Sequence, residues 1–209
     1  MVARLASTPP NVRLMRFAAD ELRRNAGNQL VDIGCGAGCN AIPLAGAGWH
    51  VTGTDLSDPM LAAARRRAND SGQTDRLSFE RAPMDRLPLE DSRFDFIVAH
   101  GIWNLARSAD EFRAALREAV RVAKPGAALF VYTFSRSTLP PETEPVPGES
   151  FVFALSDGPP RCYLTKTQLL AELDAIGFLQ EPDGPINEHL RQFDSSKLAI
   201  LEGIFRLPL

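Results

Sequence analysis

The sequence predicts an α/β fold, doubly wound, with a mainly parallel sheet covered by helices on both faces. Three observations carry the prediction. Short apolar runs alternate with helical patterns along the chain. A glycine-rich turn, Gly34-Cys35-Gly36-Ala37-Gly38, follows the first apolar run. No internal repeat and no domain-sized linker interrupts the alternation, so 209 residues form one domain. Within it, residues 1–27 read as an amino-terminal helical segment and 28–134 as the ligand-binding core. Residues 135–209 supply a lid-like loop, a helix and the carboxy-terminal strands.

Each element has a local reason. Asn11 caps a first helix with Leu14, Phe17, Ala18 and Leu22 on one face. "QLVDI" at 29–33 reads as a buried strand ending in the glycine turn. The next helix opens near Asn40, and Pro43 is tolerated because it falls in the first turn. Gly46 and Gly48 stop it, and "WHVTGTD" makes a second strand ending at Asp55. Ser57 or Asp58 then caps a helix with Pro59 in its first turn. Strands follow around "LSFERA" and "FDFIVA". Ser108 and Glu111 form a capping box for a helix that buries Phe112, Leu116, Ala119 and Val120. Lys124-Pro125-Gly126 halts it before the strongly apolar "AALFVYTF". Thr165 and Gln168 form a second capping box, for a helix with Leu169, Leu170, Leu173 and Ile176 on one face; "KLAILEGIF" is a last strand. The polar, proline-rich stretch 135–150 is a loop, either a lid over the site or a surface excursion.

Composition removes several classes of function. A net charge of −3 lacks the basic footprint that nucleic-acid binding calls for, and Arg65-Arg66-Arg67 reads as a solvated helix face. No apolar run is long enough to span a membrane, and the amino terminus has no leader-like apolar core. Cys35, Cys39 and Cys162 make no disulfide framework, and no Cys/His pair stands downstream to complete a metal site. A reduced, cytoplasmic protein without metal is expected, as a monomer or homodimer.

In a doubly wound sheet, ligands bind beyond the carboxyl ends of the strands, where the strand order reverses. A dinucleotide-binding turn would place its third glycine at position 39; here the glycines are 34, 36 and 38, and 39 is Cys39. Asp32 also precedes the turn, where a carboxylate suits a ligand with an ammonium group better than a pyrophosphate. Asp55 ends the next strand, and a carboxylate there can accept both hydrogen bonds of a ribose cis-diol.

"VDIGCGAG" resembles motif I of the class I S-adenosylmethionine-dependent methyltransferases. "APMDRLPLEDSRFDFIVAHG" resembles the adenine-contact loop and fourth strand of that family, and "RVAKPGAALFV" its fifth-strand region. The likeness spans about residues 28–134. It implies a Rossmann-like methyltransferase fold with seven strands, and S-adenosylmethionine as cofactor with S-adenosylhomocysteine as product. Carried over by residue, it implies that Gly34, Cys35, Gly36, Gly38 and Asn40 cradle the methionine end and that Asp32 orients the ammonium. It implies Asp55 on the ribose, Leu56 and Met60 over the adenine face, and Met84 with Asp85 at its edge. His100 would lie near the sulfonium, either as a general base or as a hydrogen-bond partner of the cofactor. Pro83 departs from relatives that carry an aspartate there. Cys39 departs from a subgroup with arginine in that place, so that subgroup's substrate is not carried over.

The segment after the fourth strand reads "HGIWNL", not the motif of DNA amine methylation. A small-molecule acceptor with an oxygen, nitrogen or sulfur nucleophile is expected, lined by Asn11, Trp103 and Asn104; Trp103 reads equally well as core. The competing readings are a non-catalytic module with the same fold and a dinucleotide oxidoreductase.

Overall fold

The computed structural model describes residues 8–24, 27–155, 158–193 and 196–209. The first seven residues, part of the stretch read above as lacking a leader, lie outside them. The elements in chain order are α1 (Val12–Arg23), β1 (Gln29–Ile33), α2 (Ala41–Gly46), β2 (His50–Asp55), α3 (Asp58–Ser71), β3 (Leu77–Arg81) and β4 (Phe94–His100). They continue with α4 (Ala109–Val122), β5 (Ala123–Phe134), β6 (Val152–Phe153), β7 (Arg161–Cys162), α5 (Lys166–Asp174), β8 (Leu179–Gln180), β9 (Asn187–Phe193) and β10 (Ser196–Arg206).

The main sheet runs β3-β2-β1-β4-β5-β10-β8, seven strands along its path, with β9 paired to β10. Strands β1 to β5 are parallel to one another, and β10 is antiparallel to β5, β8 and β9. The order reverses at β1, which lies between β2 and β4. That is where a doubly wound sheet opens a crevice at its carboxyl edge.

Side-chain alternation divides the core between the two faces. Leu30, Phe96, Val98, Phe130 and Tyr132 pack with Leu14, Ala18, Leu44 and Trp49. Their neighbours in the strands, Val31, Ile97, Ala99, Leu129 and Val131, pack with Phe112, Leu116, Leu169 and Leu173. A strand buried on both faces must be apolar at every position, which explains the unbroken runs in the sequence.

The caps form at the expected residues, with one variation. The side chains of Asn11, Ser57, Ser108 and Thr165 each accept a backbone N–H in the first turn of their helix. At α5 the capping box is complete. At α4 the Glu111 carboxylate instead reaches the Arg107 N–H, 2.7 Å away. Gly72 ends α3 in the left-handed conformation with φ +69°.

One expectation needs correction. Helix α4 ends at Val122, but Lys124-Pro125-Gly126 does not separate it from the strand; β5 already starts at Ala123, and its register with β4 shifts between Phe94 and Phe96. His189 lies in β9, an element with no strong apolar alternation to reveal it. The 135–150 loop is wrapped around the Arg136 guanidinium, which donates to the carbonyls of Leu139, Pro140, Pro141 and Thr143. Glu149 accepts the Ala109 N–H at 3.0 Å, which fastens the loop to α4.

Candidate active site

The glycine turn closes the carboxyl end of β1. Gly34, Gly36 and Gly38 all have positive φ (+73°, +54° and +77°), a region that side-chain-bearing residues avoid. A Cβ at Gly34 would stand 2.6 Å from Ile102, whereas one at Gly36 would meet nothing within 4 Å. The backbone at Gly36 therefore faces open space. The turn is held from below: Cys35 N–H donates to Thr54 O (2.8 Å) and Gly36 N–H to Asp55 Oδ2 (2.9 Å). Asp55 also accepts the Ser57 N–H on Oδ1 (2.8 Å), so each oxygen keeps capacity for one further donor.

Asp32, two residues before the turn, is 2% exposed. Its Oδ2 has no hydrogen-bond partner among the described residues. Burial, and then the neighbouring Asp55 charge, push its carboxyl up to about 7. A buried carboxylate oxygen without a donor is costly. An ammonium group brought to this oxygen would remove the deficit.

Beside Asp55 lies a cavity of about 260 Å³, lined by Leu56, Ser57, Ala82, Pro83, Met84 and Asp85, with Ile102 and Leu105 opposite. Leu56 and Leu105, both in its lining, are exposed leucines. A larger cavity of about 470 Å³ lies between α1 and the 181–184 segment. It is lined by charges such as Arg23 and Asp20, which pair with each other, and it does not include the glycine turn.

A polar cluster that includes Asn40, just past the turn, is drawn from four strands and the N-caps of two helices. Asn11 N–H donates to Asn40 Oδ1 (3.0 Å), and Asn11 Nδ2 donates to Glu202 Oε1 (2.6 Å). The same Nδ2 lies 3.4 Å from His100 Nε2. Asn11 Oδ1 already accepts the Leu14 N–H, which fixes the amide's orientation, so His100 Nε2 is an acceptor and its ring proton is on Nδ1. The His100 ring stacks on Tyr132, with centroids 4.1 Å apart and planes at 15°. Arg191 donates to Tyr132 Oη (3.1 Å). Burial first, and then the Arg191 charge, lower His100 to about 4, against a raising contribution from a backbone hydrogen bond.

The structure brings most of the expected residues to this crevice, but not all. Leu56, Met84 and Asp85 line the cavity. Met60 is buried beneath the turn with Ala37 and Ala63. Cys39 is half-buried and lies 3.6 Å from Arg67 Nη1. Trp103 and Asn104, expected at an acceptor pocket, are each 1% exposed, and Trp103 packs edge-on against Phe112 in the core. Their neighbours Ile102 and Leu105 take the cavity-facing positions instead. Tyr132, Arg191 and Glu202 were not singled out from the sequence. Only Glu202 carried a signal there, as a lone carboxylate inside an apolar strand.

A family model described as a methyltransferase domain matches residues 31–131. The chain is 35% identical over 125 residues to a ubiquinone/menaquinone biosynthesis C-methyltransferase of Azotobacter vinelandii, a match covering 58% of this chain and 48% of that protein. The chain spans about half the length of the curated relatives it matches. Among solved structures, a S-adenosylmethionine-dependent methyltransferase from Methanosarcina mazei superposes with a TM-score of 0.75 at 22% identity, over 90% of this chain and 97% of that one. The 1,6-didemethyltoxoflavin-N1-methyltransferase of Burkholderia thailandensis, solved with S-adenosylhomocysteine, superposes at 0.68 with 20% identity, over 93% and 78%. With its strand order, its three-glycine turn and the two carboxylates beside it, the chain belongs to the class I S-adenosylmethionine-dependent methyltransferases.

Proposed function

We propose that the chain transfers a methyl group to a small organic acceptor seated between the glycine turn and the Asn11–His100–Glu202 cluster. The observation that carries this reading is the orphaned Asp32 oxygen beside a turn whose backbone faces open space. Asp32 would receive the ammonium of the cofactor, and Gly34, Gly36 and Gly38 would let its methionine end approach the backbone. The remaining acceptor capacity of Asp55 would hold the two ribose hydroxyls. Leu56, Met84 and Asp85 would line the adenine subsite in the 260 Å³ cavity. Bound S-adenosylmethionine supplies a methyl already activated on a sulfonium, open to in-line displacement.

The protein's task is then mainly alignment, which can supply roughly 7–11 kcal/mol of a barrier. His100 fits a positioning role better than that of a base. Its acceptor nitrogen already faces the Asn11 amide, and a group lowered to about 4 is a weak proton acceptor at neutral pH. The acceptor atom is then one that is nucleophilic without a strong base: oxygen, nitrogen or sulfur in an activated molecule. The likeness to a C-methyltransferase adds carbon to that set.

Calorimetry of the wild-type protein should show micromolar binding of S-adenosylhomocysteine, abolished or greatly weakened in Asp55→Ala. Folded wild-type protein that fails to bind it would sink this reading. Release of S-adenosylhomocysteine across a panel of phenols, quinols, amines and thiols tests catalysis. Binding without turnover on any of them would favour the non-catalytic module.

A further inference from the structure

The segment between β3 and β4 has no helix or strand of its own, yet Met84 and Asp85 in it wall the cavity. A loop that recognises a planar base must be held still by something else. Its near end is anchored at the ribose side, where Ala82 N–H donates to Asp55 O at 3.2 Å. Its far end is held by two side chains of α4.

We propose that Arg121, together with Glu118, is a positioning pair for adenine recognition; this rests on the cofactor reading above. All five N–H donors of the Arg121 guanidinium are in use. Nη2 donates to Leu87 O (2.8 Å) and Nη1 to Leu89 O (2.7 Å). Nη1 also reaches Asp91 Oδ1 (2.5 Å), while Nε and Nη2 grip the Glu118 carboxylate, both at 2.8 Å. Glu118 Oε2 in turn accepts the Leu87 N–H at 2.7 Å. Leu87 is thus held at both its N–H and its carbonyl, just beyond Asp85. The next strand is entered through two more bonds to the end of α4, Ser92 N–H to Arg121 O and Arg93 N–H to Val122 O, each 2.9 Å.

This arrangement is specific to arginine. A planar fork can serve two carbonyls and a bidentate carboxylate at once, whereas a lysine ammonium has three donors on one atom. Three of the five Arg121 bonds go to the loop, two of them to main-chain carbonyls, so the cluster sets the path of the backbone instead of merely neutralising surface charge. Glu118 and Arg121 are three residues apart on α4, close enough to orient each other. The Arg121 hydrogen bond, opposed by burial, holds the Glu118 carboxyl below its usual range, so the carboxylate stays available to Leu87.

Binding of S-adenosylhomocysteine and of S-inosylhomocysteine, in which the adenine amine is replaced by an oxo group, tests the proposal. Calorimetry would be run on the wild type, Arg121→Lys, Glu118→Gln and Asp55→Ala. The wild type should prefer S-adenosylhomocysteine. Arg121→Lys should weaken that ligand roughly tenfold, the lower end of what losing an orienting partner costs elsewhere, and weaken the inosine analogue less. The preference then shrinks. Glu118→Gln, the milder change, should move the ratio the same way by a smaller factor. Asp55→Ala serves as control, because it weakens both ligands alike through the shared ribose. A wild type without preference, or an Arg121→Lys protein that keeps the wild-type ratio whatever its melting temperature, would overturn the proposal. A wild type that binds neither ligand overturns the cofactor reading instead.

Discussion

Asp32 shows how one residue can be costly for the fold and useful for the ligand. It is buried beside Asp55 with one oxygen unpartnered, and its carboxyl is pushed up to about 7. Because that value lies above the unfolded one, the native state holds an extra proton between about pH 4 and 7. The stability this group contributes is therefore full below about pH 4 and is lost as pH rises through 7. Asp32→Asn, which stays neutral, should gain on the wild type across that window by an amount of the order of 4 kcal/mol. Urea melts of the two proteins at pH 4.5, 6 and 8 measure this difference, which isolates Asp32 from other titrating groups such as His100. An unchanging difference would contradict it. Asp32 and Asp55 were legible in the sequence because each stands at or next to the carboxyl end of a buried strand, where the glycine turn places a ligand. Glu202 was less legible, since its partner Asn11 comes from the opposite end of the chain.

At the scale of elements, α1 shows where patterning stops being informative. Its apolar positions predict a buried stripe through Leu14 and Ala18, and the helix buries them. It also buries Glu21, only 1% exposed, which a reading of periodicity assigns to solvent. The reason is Arg206 in β10, whose Nη1 and Nη2 donate to the two Glu21 oxygens at 3.0 and 2.8 Å. Arg24 adds a third bond to Glu21, at 3.2 Å. Removing one partner of a buried pair leaves a charge without compensation, so Arg206→Ala should cost about 3 kcal/mol. Thermal melts should show a drop of roughly 6–12 °C for a chain of this size. Glu21→Gln with Arg206→Ala together should recover part of the loss, because no unpaired carboxylate remains. Loss of less than 1 kcal/mol in the single variant would show that the pair is solvated in solution. The short strands β6, β7 and β8 were similarly illegible, since two residues carry no period.

For the whole molecule, ligand and fold are linked by mass action. A ligand that binds only the native state at a hundred times its Kd adds about 2.7 kcal/mol of stability. S-adenosylhomocysteine at that excess should therefore raise the melting temperature by roughly 5–11 °C. The same concentration should leave Asp55→Ala unmoved. NADH should give no shift, because the turn has Cys39 where a dinucleotide turn places glycine. A shift with NADH alone would revive the oxidoreductase reading.

By itself the sequence determined the α/β class, the helix caps and the cofactor turn. These are local matters: glycine tolerates positive φ, a hydroxyl or amide caps the turn that follows it, and a strand buried on both faces is apolar throughout. Tertiary structure alone decided what surrounds that turn. Asn11, His100, Tyr132, Arg191 and Glu202 meet only because β10 runs antiparallel beside β5 and α1 lies across the same face. Trp103 and Asn104 went to the core while Ile102 and Leu105 faced the cavity, a choice set by packing against Phe112 and not by residue type. "LVDIGCGAG" carries its own geometry in the chain; the acceptor side is assembled from residues nearly 200 positions apart, and no local pattern records it.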